Sequence, residues 1–350
     1  MTWLVILTHE SGVFMRSYFI DHYGGIDGLC LRETDAPKPP GPGQVLVRMR
    51  AAALNFRELL ILAGHYQQMC KPDLVPCSDG AGEVVAVGEG VLRVGTGDRV
   101  ALTFHPHWIA GEQPQGLAIL GRGGSVDGTL SEYACVSQDE VVVVPQHLSF
   151  EEASTLPCAA LTAWSALCAH GVLLPGQRVL VQGTGGVSVF ALQLAKLFGA
   201  EVVALSSSPE KLSRLRQLGA DHLIDYRVHT DWHKQVLACT GGQGVDLTVE
   251  VGGGDTVERS VQATRVGGRV SMVGLLTGSP GFSEGFFYRG LSINTIRVGH
   301  REQFEQMNRA IALHRLRPVI DQVFDFDNAP EAFTHLQQRK HVGKVVIRIN

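Results

Sequence analysis

No two of the seven cysteines form a C-x-x-C pair, and their number is odd. A zinc knot needs closely spaced pairs and a disulfide framework needs an even set, so both are disfavoured. Cys30, Cys70, Cys77, Cys135, Cys158, Cys168 and Cys239 are read instead as small buried hydrophobes. Basic runs of five or six residues are missing, and the net charge is only −4, so nucleic acid is not an expected partner. Long apolar runs are missing as well. The apolar stretch 3–7 has no basic residue before it and meets His9 and Glu10 at once. A signal peptide needs a positive start and a longer core, and a membrane span needs about 20 apolar residues. A cytoplasmic chain with no membrane partner is therefore expected. Residues 1–14 read as an optional or non-native extension, because the first segment that looks like an edge strand is 16–20.

What is present is an ordinary globular balance, 45% apolar and 18% charged over 350 residues, a length that suits two domains. The first third reads as short strands at 44–54, 83–87, 98–102, 130–136 and 141–144, which suggests a small barrel or two packed sheets. Residues 104–127, rich in Gly, Pro and His, read as a functional loop. Phe104 and Trp108 in it are candidates to line an apolar pocket. The pattern then changes to strands at 178–182, 201–205, 222–225, 245–251, 269–273 and 291–296. Helices at 187–198, 209–218, 231–239 and 255–264 alternate with them. That alternation predicts an α/β fold with a doubly wound parallel sheet. Helices at 302–314 and 329–338 and a last strand at 344–349 close the chain.

Residues 179–200 read as a buried strand, a glycine turn and a helix. Gly183 permits the tight turn, and Gly185 lets the backbone approach a pyrophosphate at the helix N-terminus. Ser188 stands where a third glycine is usual. The turn Gly183, Thr184, Gly185, Gly186, Val187 is thus the candidate dinucleotide site. An acidic residue at the end of the second strand would bind the ribose hydroxyls of NAD; here the sequence is Leu205-Ser206-Ser207-Ser208, followed by Lys211. Ser206, Ser207 and Lys211, with Tyr226 and Arg227 on the same rim, suit the 2′-phosphate of NADP(H).

Six segments taken together resemble the medium-chain dehydrogenase/reductases, in their zinc-free quinone-oxidoreductase branch. They are Leu54-Asn55-Phe56-Arg57-Glu58, Asp79-Gly80-Ala81-Gly82-Glu83-Val84, Gly97-Asp98-Arg99-Val100, the turn at Gly183, Leu218-Gly219-Ala220-Asp221, and His341-Val342-Gly343-Lys344-Val345. The resemblance implies a GroES-like, mostly-β catalytic domain over 1–155 and a Rossmann domain over 156–299. It also implies a segment over 300–350 that returns to the catalytic domain. A homodimer paired through Rossmann-sheet edges such as 291–296 is the implied assembly. It further places Asn55 on the nicotinamide ribose or substrate and Thr162 near the nicotinamide or diphosphate; Gly274 and Leu275 after the fifth strand, Arg297 and Val298 after the sixth, and Lys344 are the remaining cofactor candidates. Zinc-dependent relatives carry a cysteine where Asn55 stands and Gly-His-Glu where Cys77-Ser78-Asp79 stands. With His65, His105 and His107 the only other candidates, no metal is expected.

Hydride transfer to an ordinary ketone builds negative charge on oxygen, which zinc stabilises as a Lewis acid. Without zinc, the expectation is an acceptor that spreads the charge itself: a quinone or a conjugated enal or enone. Tyr66 is the candidate proton donor, with Asn55 and Arg57 as further catalytic candidates. Two alternatives stay open. One is an alcohol or aldehyde dehydrogenase of the same fold. The other is an NADPH-binding sensor or moonlighting protein with little turnover.

Overall fold

The computed structural model describes residues 14–117, 120–274, 276, 278 and 284–350. Strands β1 (Phe14–Ile20) and β2 (Leu29–Asp35) pair antiparallel. Five strands follow: β3 (Gln44–Leu54), β4 (Asp79–Val87), β5 (Arg99–Leu102), β6 (Tyr133–Ser137) and β7 (Val141–Val143). Then come the parallel strands β8 (Arg178–Gln182), β9 (Glu201–Ser206), β10 (His222–Asp225), β11 (Val245–Glu250), β12 (Thr264–Met272) and β13 (Ser292–Thr295), and finally β14 (Ile320–Asp325) and β15 (Lys344–Arg348).

Two sheets organise the molecule. The parallel sheet runs β10-β9-β8-β11-β12-β13, so β8 and β11 sit at its centre and β13 at its edge. The order reverses beside β8, which is where such sheets open a crevice for ligands. β8, β9 and β11 are almost wholly buried because helices cover both faces. The second sheet runs β14-β15-β3-β4-β5-β7, with β6 also on β3. The C-terminal β15 lies antiparallel to β3 and so belongs with the N-terminal strands. Met49, Leu54, Ile61, Phe326 and Phe333 fill the core of this half, and Leu156, Phe190, Leu192 and Phe304 fill that of the other. No helix among the described residues is long and apolar enough to cross a membrane.

Three readings are corrected. The strand expected at 130–136 pairs with β3 only from Tyr133, because Leu130 and Ser131 turn to β1: Tyr18 N–H donates to Leu130 C=O at 3.0 Å, and Ser17 bridges Ser131. The strand expected at 269–273 starts at Thr264, with an irregular register against β11. The cysteines are not uniformly buried: Cys77 and Cys158 are, but Cys135 is exposed.

Candidate active site

The glycine turn sits at the carboxyl end of β8. Gly183 has φ +77, a conformation that L side chains rarely adopt, and Gly185 caps the helix Gly186–Leu197. A Cβ on Gly183 or Gly185 would meet nothing within 4 Å. The space beside these two glycines is open, and the N–H groups and positive dipole end of the helix suit an anion. Ser188 Oγ donates to the Gln182 carbonyl at 2.6 Å, so the hydroxyl in place of the third glycine is absorbed by the strand end.

At the second strand, Ser206 is buried and its carbonyl accepts from Tyr226 N–H at 3.0 Å. Ser208 caps the next helix through Lys211 N–H. The Lys211 ammonium donates to the Arg339 carbonyl at 2.8 Å; burial lowers its pKa, Asp321 opposes that, and Arg227 adds to it. Tyr226 is 40% exposed. Ser206, Lys211 and Tyr226 therefore share one rim, and the carbonyl of Ser206 joins its two strands. Nearby His341 is pushed down to about 4 by burial and stays neutral at pH 7.

Glu250, at the end of β11, was not singled out from the sequence. It is fully buried, and its Oε1 accepts from Gly252 N–H (2.7 Å), Gly253 N–H (3.0 Å) and Thr256 Oγ1 (2.7 Å). Its Oε2 accepts from Gln182 Nε2 at 2.8 Å and from Ser260 Oγ. The carboxylate thus joins the ends of two central strands beside the glycine turn. The one signal available was an acid closing a buried strand just before Gly252-Gly253-Gly254.

On the catalytic-domain side, Asn55 caps the helix Phe56–Leu62, and its backbone N–H donates to Glu58 Oε2 at 2.7 Å. Asn55 Nδ2 donates to Asp79 Oδ2 at 2.9 Å and to Ser78 Oγ at 3.2 Å. Lys344 Nζ donates to Asn55 Oδ1 at 2.6 Å and to Asp79 Oδ2 at 3.1 Å. Asp79 is fully buried and Lys344 is 2% exposed. Burial raises the Asp79 pKa, and the Lys344 charge and the Asn55 hydrogen bond work against it. Glu58 Oε1 accepts from Ser78 N–H and Oγ at 3.0 and 2.8 Å.

Arg57, read as a catalytic electrostatic group, is engaged elsewhere. Its guanidinium donates to Glu58 and to the carbonyls of Arg122 and Leu120, and lies over the Phe104 ring. It pins the 120–122 turn. Tyr66 is half-buried against the catalytic-domain core and makes no hydrogen bond to Asn55, Asp79 or Lys344. Phe104 is buried, and the His105 ring meets it edge-on and lies tilted against Trp108, which in turn packs on His300. This row of rings bridges the 104–127 loop to the helix Arg301–His314, whose N–H groups at 301 and 302 donate to the carbonyls of Trp108 and Ile109. Burial, then the charges of Arg297 and Arg57, depress His105 to about 4. Val298 has φ +54, strained for a β-branched residue, beside Arg297. Thr162 is buried just after the π-helical turn Leu156–Ala160. Gly274 packs so closely on Val251 that a Cβ would stand 2.4 Å from its carbonyl oxygen. Leu275 lies outside the described residues.

The donor set does not fit zinc. No group of three or more His, Cys, Asp or Glu among the described residues is arranged to hold a metal ion. Asn55 and Asp79 already hold the Lys344 ammonium. Both cysteines that feel this cluster, Cys77 and Cys158, have thiol pKa values raised chiefly by burial.

Comparison with known proteins follows the same two halves. Residues 41–146 match the alcohol dehydrogenase GroES-like domain, and residues 186–312 match the zinc-binding dehydrogenase family. A zinc-type alcohol dehydrogenase-like protein of Schizosaccharomyces pombe is 39% identical, over 96% of this chain and 99% of its own length. The crystal structure of a Sinorhizobium meliloti 1021 protein assigned as an alcohol dehydrogenase has a TM-score of 0.91 at 40% identity, covering 97% of this chain and 100% of that one. An NAD-dependent alcohol dehydrogenase has a TM-score of 0.87 at 35% identity, covering 96% of this chain and 100% of its own.

Proposed function

This chain belongs to the medium-chain dehydrogenase/reductase superfamily and is an alcohol dehydrogenase-like oxidoreductase, and from that premise we propose that it is an NADPH-dependent reductase of activated acceptors, a quinone or a conjugated enal or enone, working without catalytic zinc. The observation that carries the reading is the Asn55–Asp79–Lys344 cluster, where an ammonium occupies the donors that a metal would need. Gly183, Thr184, Gly185, Gly186 and Val187 would hold the pyrophosphate. Ser206, Ser207, Lys211 and Tyr226 would hold the adenosine 2′-phosphate, and Thr162, Gly274, Arg297 and Val298 would border the nicotinamide. When bound, the nicotinamide supplies the hydride. The chain's own part is to orient the acceptor, exclude water through the 104–108 loop, and offer a proton from the Tyr66 hydroxyl. A cytoplasmic homodimer paired through the edge strand β13, with a small-molecule substrate and no nucleic-acid or membrane partner, completes the proposal.

A second reading, oxidation of alcohols or aldehydes with NAD(P)+, is favoured by the names of the relatives above. The test is NADPH consumption by metal-stripped protein, followed by absorbance with a quinone, an enone and a simple aldehyde, and repeated with NADH. Turnover of quinone or enone that prefers NADPH and ignores chelators is the expected result. Activity that returns only with added zinc, or only with alcohols and NADP+, would overturn the proposal and support the second reading. Tight NADPH binding with no turnover of any acceptor would favour a sensor.

A further inference from the structure

Lys344 connects the two halves of the cleft through one residue. Its neighbour Gly343 pairs with Gly185 in an isolated bridge, and Gly343 N–H donates to the Thr184 carbonyl at 2.9 Å. The lysine stem then lies against the glycine turn: a Cβ on Gly186 would stand 2.7 Å from Lys344 Cδ. The ammonium ends in the other half of the molecule, on Asn55 Oδ1 and Asp79 Oδ2. The Gly343 backbone and the Lys344 stem thus touch the nucleotide turn while the Lys344 charge touches the acceptor-side cluster.

The cluster has little freedom of its own. Both N–H bonds of the Asn55 amide are used, on Ser78 and Asp79, and its oxygen accepts from Lys344. Asp79 Oδ1 is buried without a hydrogen-bond partner. A buried, close-packed polar cluster shifts as a unit rather than deforming atom by atom. Whatever fixes the 183–186 turn therefore fixes β15 at Lys344, and through the ammonium it fixes the Asn55 amide and the Asp79 carboxylate.

We propose that Lys344 is a positioning residue that transmits nucleotide occupancy of the glycine turn to the acceptor side of the cleft. The ammonium is directed to Asn55 and Asp79, so its main work is on the acceptor side rather than on the pyrophosphate. The inference rests on the nucleotide reading of the turn and deepens it.

The experiment is hydrogen–deuterium exchange on the full chain, with NADPH and separately NADH as the probe. Three proteins are compared: wild type, Lys344→Met, and Lys344→Met/Asp79→Asn. The double variant removes the cation and its partner charge together, so no lone buried charge is left to unfold the domain. In wild type, nucleotide should slow exchange both at 183–190 and at 56–63. In the double variant, nucleotide should still protect 183–190 with a dissociation constant within about threefold of wild type, yet leave 56–63 unprotected. Its kcat should fall by about tenfold or more while KM for NADPH holds, the mark of lost positioning. Equal protection of 56–63 in the double variant, recovery of wild-type kcat there, or no protection of 56–63 in nucleotide-bound wild type would each overturn the inference. Wild type that binds neither nucleotide would overturn the nucleotide reading itself, and a binding titration distinguishes that outcome from the others.

Discussion

Glu250 offers the sharpest test of how the cofactor crevice is held. Its carboxylate accepts five hydrogen bonds: two from backbone N–H groups of the turn after β11, and one each from Thr256, Ser260 and Gln182. Replacement by alanine leaves the buried Gly253 N–H without its acceptor, a loss of about 1–3 kcal/mol. Removal of the side-chain atoms adds a cavity worth roughly 1 kcal/mol more. Gln182 retains Ser260 Oγ at 2.7 Å, and Thr256 Oγ1 retains the Gly253 carbonyl at 3.0 Å, so these two groups add little. The buried Ser260 hydroxyl also loses its acceptor, so the expected cost of Glu250→Ala is at least about 3 kcal/mol. Glu250→Gln keeps an oxygen for the two glycine N–H groups, but its NH2 takes the place of the Oε2 that accepts from Gln182 Nε2, so the Gln182 amide must flip to present its oxygen to that NH2 and to the Ser260 hydroxyl; about 1 kcal/mol is expected. Urea unfolding of the nucleotide-free protein reads both values. An alanine variant within about 1 kcal/mol of wild type, or a glutamine variant as damaged as the alanine one, would refute the reasoning.

Three further outcomes are expected. Lys211→Ala should raise KM for NADPH about tenfold with less than about a twofold change for NADH, because a charged hydrogen bond to phosphate is lost; equal changes in steady-state assays would remove Lys211 from the 2′-phosphate site. Tyr66→Phe should lower kcat on an enone by about a hundredfold with NADPH affinity unchanged, and an unchanged kcat would dismiss its hydroxyl as the donor. His105, held near 4 by burial against an ordinary 6.5, is neutral in the folded chain when the unfolded chain has already taken a proton. Stability should thus fall as pH drops from about 6.5 to 4, by up to about 3 kcal/mol from this residue. His105→Gln should flatten that slope in pH-dependent unfolding, and an unchanged slope would count against the buried neutral state.

The parallel sheet was legible because β8, β9 and β11 are apolar runs between helices with clear starts and stops, and because the glycine turn follows β8 directly. Two strands escaped notice for the opposite reason. β2 puts Leu31, Glu33 and Asp35 together on an exposed face, and among the described residues it pairs with β1 alone, so no apolar-polar alternation marks it. β14 is an edge strand carrying Asp321, Gln322 and Asp325, and it gains its place only by pairing with β15. The turn Leu156–Ala160 is apolar throughout but contains Pro157, and its π-helical winding has no sequence period to reveal it. At the site, the missing thiolate and imidazole could be read directly at positions 55 and 78. The burial of Lys344 could not, since a lysine before an apolar strand looks the same whether its ammonium meets water or a carboxylate. The engagement of Arg57 was hidden on the same ground: its partners at 120 and 122 are fixed by the fold of a loop, not by spacing.

The identity of the cation at Asn55 and Asp79 bears on which acceptors the site can serve. A zinc ion with an open position binds an acceptor oxygen directly and gains several kcal/mol of charge stabilisation. An ammonium has three N–H bonds, and Lys344 gives two of them to Asn55 and Asp79. At most one remains, and one charged hydrogen bond contributes about 1.5–3 kcal/mol. Asn55 adds nothing as a donor, because both of its N–H bonds are already given to Ser78 and Asp79. The Asn55–Asp79–Lys344 cluster is thus well ordered but offers an acceptor at most one N–H. A simple ketone would have to localise a full negative charge there on one oxygen. A quinone or enone spreads the same charge over its conjugated system and asks for a single hydrogen bond, so the proposed reductase should lose far more activity from acceptor saturation than a zinc enzyme would.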